Sequence, residues 1–192
     1  MSETTFQAKT FDNFISPEEV TKLLNFCKTT DIWRPVPDSF WDKRVINYYV
    51  STPEIKNILE SLVIRIQDII IKEYQLDKPV YPDTVDVVRW FEGMSQDPHC
   101  DDMSNVVGWN DKMKNRHFGC VVYLNDDYEG GRTYYPNHNF EIEPKSGRVA
   151  IHLGDCNHMH GVTPVSKNIR YTVASFWSFN KEEAVQGINY KA

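Results

Sequence analysis

The 192-residue chain has no apolar run near the roughly 20 residues of a membrane span. It has no low-complexity tract and no internal repeat. It also lacks an excess of positive charge: 21 Lys and Arg stand against 27 Asp and Glu, a net charge of −6. A general polyanion binder would need a basic face, so nucleic acid is not the expected partner, and neither is a membrane. The opening MSETTFQAKT is polar, with no apolar signal core, so a cytoplasmic protein is expected. Cysteine is scarce. Cys27, Cys100, Cys120 and Cys156 show no CxxC spacing and read as reduced thiols. Hydrophobic residues make up 41% and charged residues 25%, the profile of a globular chain long enough for one domain over 1–192.

The first 82 residues carry helical periodicity. Ser16-Pro17-Glu18-Glu19 is a capping box with proline at the first helical position, and Val20, Leu23, Leu24 and Cys27 follow as one buried face. Thr52-Pro53-Glu54 opens a longer helix whose stripe is Ile55, Ile58, Leu59, Leu62, Val63, Ile66, Ile69 and Ile70. From about residue 83 to 180 the period becomes 2. Strands are expected at Asp83–Glu92, His117–Leu124, Arg132–Tyr135, Phe140–Ile142, Arg148–Leu153 and Tyr171–Phe179, with two more at Phe6–Phe11 and Val45–Val50. Helices first and short antiparallel strands after give an α+β, mainly β chain: a sandwich or jelly roll with the helices packed on one sheet.

Chemistry-bearing residues begin with His99-Cys100-Asp101. On an extended segment, residues two apart share a side, so an imidazole and a carboxylate become two arms of a metal site. The pair alone is weak, since composition gives about half such a pair by chance. His160-Gly161-Val162-Thr163-Pro164-Val165 could add an arm from a distant strand. Two histidines and a carboxylate on one face of a metal leave three positions open, which suits non-haem Fe(II). Arg170 opens an apolar, aromatic strand and needs an anionic partner there, either an acidic side chain or a bound dicarboxylate. A Cys156-x-His158-x-His160 zinc site is poorly placed, because side chains two apart on one strand cannot surround a tetrahedral ion alone. His158 is therefore expected at a rim, His152 as a hydrogen-bonded core histidine, and His117 and His138 at strand ends or loops.

From Val87 to Phe179 the chain resembles the prolyl 4-hydroxylase-like group of Fe(II)/2-oxoglutarate dioxygenases. The matching residues are Gly93, Pro98-His99-Cys100-Asp101, Tyr123-Leu124-Asn125, Gly130-Gly131, Pro144-Lys145-Ser146-Gly147, His160 to Val165, and Arg170-Tyr171. Phe11 to Ser16 resembles the group's entry strand and first helix. The resemblance implies a double-stranded β-helix core and hydroxylation of a C–H bond, most plausibly on a prolyl residue of a peptide or protein. It implies Fe(II) held by His99, Asp101 and His160, with 2-oxoglutarate and O2 as co-substrates and ascorbate as a further cofactor. Arg170 would pair with the distal carboxylate of 2-oxoglutarate, with Tyr123 close by and Thr172 on the same strand face. Trp90 stands where the group often has a tyrosine, and its indole can donate but not accept. The basic residue is arginine, whereas the animal collagen enzymes use lysine.

The aromatics around Ser39–Val50 read either as ordinary sheet packing or as a peptide-gripping loop over the iron; on the second reading Trp41, Arg44, Tyr48 and Tyr49 are the candidate substrate residues, some of them bordering the cleft and at least one touching a peptide. On a strand, only one of the two tyrosines could face the cleft. The rival readings are a dioxygenase acting on a free amino acid or small metabolite, and a non-catalytic cupin-like metal sensor, which would need no dicarboxylate clamp. Phe176 stands where alkylated-DNA repair dioxygenases carry a second arginine, and Asp101 supplies the carboxylate that a halogenase of this fold would lack.

Overall fold

The computed structural model describes Phe6, residues 8–103 and residues 111–190. The first helix, α1 (Pro17–Thr29), starts as its sequence demands: Ser16 Oγ accepts from the Glu19 amide, and the Glu19 carboxylate accepts from the Ser16 amide at 2.8 Å. In α2 (Pro53–Glu73), Thr52 caps the start, and Ile55, Leu59, Leu62, Val63, Ile66 and Ile70 are buried.

Among the described residues, twelve strands follow the sequence order β1 (Lys9–Phe11), β2 (Val45–Asn47), β3 (Tyr81–Trp90), β4 (Gln96–His99), β5 (Phe118–Tyr123), β6 (Glu129–Gly130), β7 (Thr133–Tyr135), β8 (Phe140–Ile142), β9 (Val149–Leu153), β10 (His160–Val162), β11 (Val165–Lys167) and β12 (Arg170–Ser178). The large sheet is ordered β1-β9-β5-β12-β3-β2, and the smaller one β4-β10-β7-β8; β6 and β11 form a two-stranded piece. Every pairing is antiparallel. This is the jelly roll expected from the sequence. Its last strand, β12, lies in the middle of the large sheet, between β5 and β3. The N-terminal 82 residues supply both edge strands as well as the helices.

Strand alternation divides the large sheet's residues between two faces. Val85, Val87, Cys120, Val122, Val149, Ile151, Tyr171 and Val173 pack in one core with both helices. The opposite, inner face carries Val88, Trp90, Tyr123, Ala150 and Ala174, which pack with residues of the small sheet or with Trp41. The site is built on this inner face.

Two expectations are corrected. The strand at Val45–Val50 stops at Asn47, whose side chain accepts from the Tyr49 amide and turns Tyr48–Val50 into a short 3-10 turn. Cys100 and Cys156 are not separate thiols but a disulfide with Cα atoms 4.9 Å apart; Cys27 and Cys120 are free and buried. No helix of the described residues is long and apolar enough to cross a membrane.

Candidate active site

His99 ends β4, and cross-strand register places it opposite His160, the first residue of β10. Residues 61 positions apart in sequence thereby become neighbours. Asp101 sits in the turn after β4. Its Oδ1 lies 3.8 Å from His99 Nε2 and 3.7 Å from His160 Nε2, and the three donor atoms fall within 4.8 Å of one another.

The surrounding bonds settle which atoms are free. His99 Nδ1 lies 3.1 Å from the Asp97 carbonyl and His160 Nδ1 3.1 Å from the His158 carbonyl. A carbonyl can only accept, so both Nδ1 atoms carry protons and the Nε2 atoms are the ones turned to Asp101, that of His99 also lying 3.4 Å from the Gln96 amide nitrogen. The other oxygen of Asp101, Oδ2, is 3.0 Å from His152 Nε2, whose Nδ1 is 2.9 Å from the Tyr135 hydroxyl. Tyr135 thus donates to His152 and His152 to Asp101, leaving Oδ1 facing the two imidazoles. Burial pushes the His160 imidazole down to about 3, with His152 and His99 adding to the effect, so it is neutral at physiological pH. Burial alone would raise the Asp101 carboxyl, but His160, His152 and His99 together hold it below the ordinary range. A carboxylate and two imidazoles sharing one small space are the donor set for a divalent, borderline metal such as Fe(II).

Two glycines make room for these groups. A Cβ on Gly119 of β5 would collide with Asp101 Oδ2 and His152 Nε2. At Gly131, with φ +59°, it would press to 3.0 Å on Arg170 Cδ and Tyr128 Cε2.

Further along the inner face, Arg170 is 2% exposed and its Nε has no partner. Asn125 fixes the backbone on both sides of it: Nδ2 donates to the Ile169 carbonyl at 2.8 Å and Oδ1 accepts from the Tyr171 amide at 2.8 Å. The Arg170 guanidinium lies 5.3 Å from the Trp90 ring centre and 5.4 Å from that of Tyr123. The Tyr128 hydroxyl is buried beside Arg170, with no well-formed hydrogen bond among the described residues. Tyr123 is hydrogen-bonded to Thr133 at 2.9 Å, and Thr172 is buried. A buried guanidinium whose Nε is left over, beside the buried Tyr128 phenol and with no carboxylate on it among the described residues, is complementary to an anion, as a dicarboxylate's distal end would be.

The expected substrate residues separate. Trp41 packs on the inner face with Val88, Trp90 and Ala174. Arg44 is not on a rim but wholly buried, enclosed by Phe40, Trp41 and Trp90. Tyr48 and Tyr49 do not border the cleft: Tyr48 is buried in the helix-side core and bonds Glu60, and the Tyr49 hydroxyl accepts from the Gln186 amide. The cause is the turn after Asn47, which carries both tyrosines towards α2 and the C-terminal segment. His158 is not at a rim either; it is buried, bonded to Asp155 and stacked near Phe6. His152 is the hydrogen-bonded core histidine expected, and its bond goes to Asp101.

Sequence reasoning missed Tyr128, Tyr135 and Gly119, which no motif singles out. It also missed a cluster at the end of β12 away from Arg170. There the Arg116 guanidinium lies 3.9 Å over the Phe176 ring and bonds Asp83 at 2.9 Å.

A jelly roll with two imidazoles, one carboxylate and an anion pocket on its inner face defines a 2-oxoglutarate-dependent Fe(II) dioxygenase. Residues 85–178 match the family model of the 2OG-Fe(II) oxygenase superfamily, and the protein is an oxidoreductase of that class, using Fe(II), 2-oxoglutarate and O2. It is 23% identical, over 181 residues, to a protein of Acanthamoeba polyphaga mimivirus named "Putative prolyl 4-hydroxylase", covering 85% of this chain and 71% of that one. In fold it is similar to the viral collagen prolyl hydroxylase of Paramecium bursaria Chlorella virus-1 in its 2-oxoglutarate complex. The TM-score is 0.69 at 18% identity, over 93% of this chain and 98% of that chain. It is also similar to a prolyl hydroxylase from Trichoplax adhaerens in complex with a hypoxia inducible factor peptide fragment. Here the TM-score is 0.67 at 19% identity, over 95% of this chain and 88% of that chain.

Proposed function

We propose that the protein hydroxylates a prolyl residue of a peptide or protein, with His99, Asp101 and His160 holding Fe(II) and Arg170 holding 2-oxoglutarate. One observation carries the assignment of roles: Arg170 Nε, buried and without a partner among the described residues, lines the same inner cavity as the clustered His99 Nε2, His160 Nε2 and Asp101 Oδ1. Tyr128 and Arg170 orient the co-substrate by its distal carboxylate, and Tyr123 and Thr172 add hydroxyls to the pocket. When bound, the iron and the 2-oxo acid together activate O2, releasing succinate and CO2 and placing one oxygen atom in the substrate C–H bond. The chain's own part is to fix these groups and to keep water out with Trp90, Val88 and Val162.

A peptide substrate is supported by the apolar and aromatic inner face beyond the metal, where Trp41, Ala174 and the Phe176–Arg116 pair offer surfaces for a stiff, extended proline-containing segment. The names borne by the mimivirus protein and the structural neighbours agree with it. The test is to incubate the protein with Fe(II), 2-oxoglutarate and a panel of proline-containing peptides, and to measure succinate and the gain of one oxygen in peptide mass. Peptide should stimulate 2-oxoglutarate turnover, and Trp41→Ala should reduce that stimulation in a protein that still folds and binds iron. Stimulation by free amino acids and by no peptide would replace this reading with that of a metabolite dioxygenase.

A further inference from the structure

Arg170 is not the only buried guanidinium at the co-substrate pocket. Arg44, just before β2, is 0% exposed. Its Nη1 donates to the Phe40 carbonyl at 2.9 Å and its Nε to the Arg89 carbonyl at 3.1 Å, while Nη2 has no partner. Its guanidinium lies 4.1 Å from the ring centres of both Phe40 and Trp90, and 4.8 Å from that of Trp41. Trp90 is shared: the Arg170 guanidinium approaches the same ring at 5.3 Å. Among the described residues no carboxylate pairs with Arg44 or Arg170. Two buried positive charges therefore share one indole, Arg44 compensated by aromatic faces and two carbonyls and Arg170 by the rings of Trp90 and Tyr123 and the Tyr128 hydroxyl.

This is an unusual arrangement for a chain of net charge −6. A structural arginine buried this deeply is normally matched by an acid, because desolvating a lone cation is costly. Aromatic faces and two carbonyls compensate Arg44 in part. Burial, and then Arg170, pull its pKa down to about 10, so it stays charged at neutral pH and the pair repel. The charge balance of the pocket improves when an anion arrives.

We propose that Arg44 is a second cationic determinant of the co-substrate pocket, a positioning residue that selects a 2-oxo acid with a distal carboxylate by adding its charge to that of Arg170. Arg44 meets the pocket across the shared Trp90 ring, so its effect would be through the field and not through a hydrogen bond. This rests on the assignment of Arg170 to 2-oxoglutarate made above.

The test compares two 2-oxo acids with the same chelating end: 2-oxoglutarate and 2-oxobutyrate, which has no distal carboxylate. Their affinities are measured by calorimetry on anaerobic, Mn(II)-loaded protein, which reports binding without turnover. In the unaltered protein 2-oxoglutarate should bind much the tighter, and Arg170→Ala should abolish that preference. If it does not, the assignment of the pocket itself is wrong. Given that preference, Arg44→Gln keeps donors for the Phe40 and Arg89 carbonyls and removes the charge. It should lower the ratio of the two affinities about tenfold, the order set by a unit charge at second-neighbour distance in a partly buried site. Arg44→Lys, which keeps the charge, should hold the ratio within about threefold of the unaltered protein. An unchanged ratio in Arg44→Gln would make Arg44 a packing residue only. An equal fall in Arg44→Lys would assign the effect to shape. If Arg44→Gln does not fold, Arg44→Met is the second neutral variant, and the same ratio decides.

Discussion

At the scale of single residues, the site depends on atoms whose second bond is already taken. Asp101 can offer Oδ1 to a metal because His152 occupies Oδ2, and Gly119 leaves room for both. Gly119→Ala forces a methyl group into that contact, so iron affinity should fall at least about tenfold while the far-ultraviolet spectrum stays native. Titration of Fe(II) or Co(II) into the variant checks this. Removing the anion partner gives a different signature. Arg170→Ala should raise the 2-oxoglutarate requirement roughly a hundredfold and leave iron binding nearly unchanged, since a charge-assisted contact in a buried pocket is lost but no metal donor is touched. Activity against 2-oxoglutarate concentration, with iron titrated separately, reads both.

At the scale of elements, the site is the junction of three short pieces: the end of β4, the turn after it and the start of β10. The Cys100–Cys156 disulfide ties two of them, because Cys100 lies between His99 and Asp101 and Cys156 opens the turn whose His158 carbonyl holds His160. It closes a loop with a sequence separation of 56, for which chain entropy gives about 4 kcal/mol of stabilisation. A Cys100→Ser, Cys156→Ser double variant should lose stability of that order in urea unfolding, and the unaltered protein should lose a similar amount in reductant. The sequence could not reveal this pairing. Nothing in the spacing of four cysteines distinguishes two that meet across 56 residues from two that stay buried thiols. The same limit hid Tyr128 and Tyr135, whose roles come from where non-local strands set them. The local signals were legible: the Ser16 capping box, the stripe on α2 and the alternation in β3 and β12 all follow from nearest-neighbour chemistry. The 3-10 turn at Tyr48–Val50 was not, because one Asn47 side-chain bond overrode β-favouring residues.

At the scale of the whole molecule, the large sheet keeps its helix side apolar and lets its inner face carry charge. Asp86 shows the cost. It sits on β3 opposite Ala174 and Asn47, half-buried, and burial pushes its carboxyl up to about 6, against the Asn47 hydrogen bond and the positive charges of Arg34 and Arg116. Its folded-state value therefore lies above the unfolded value of 3.8, so the folded protein holds this proton more tightly. The contribution is full below about pH 4 and is lost as pH rises through 6. Asp86→Asn should accordingly be more stable than the unaltered protein at pH 8, by about 1 kcal/mol, with the advantage gone at pH 4. Thermal unfolding of both proteins at the two pH values measures the difference.

The place of β12 has a consequence for how the chain comes to exist. It is the last strand in sequence and the central one in space, paired with β5 and β3 along nearly its whole length. During synthesis, β3 and β5 emerge with a gap where their common neighbour belongs, and both flanks of that gap are unpaired edges that carry valines. Helices α1 and α2 form early from local contacts, but the sheet they cover stays open until residue 178 has left the ribosome. Arg170 and the partner strand of Trp90 arrive in that final step. Co-substrate binding is thus a property of the closed sheet, and the interval before β12 inserts is when this protein is most exposed to pairing with the wrong neighbour.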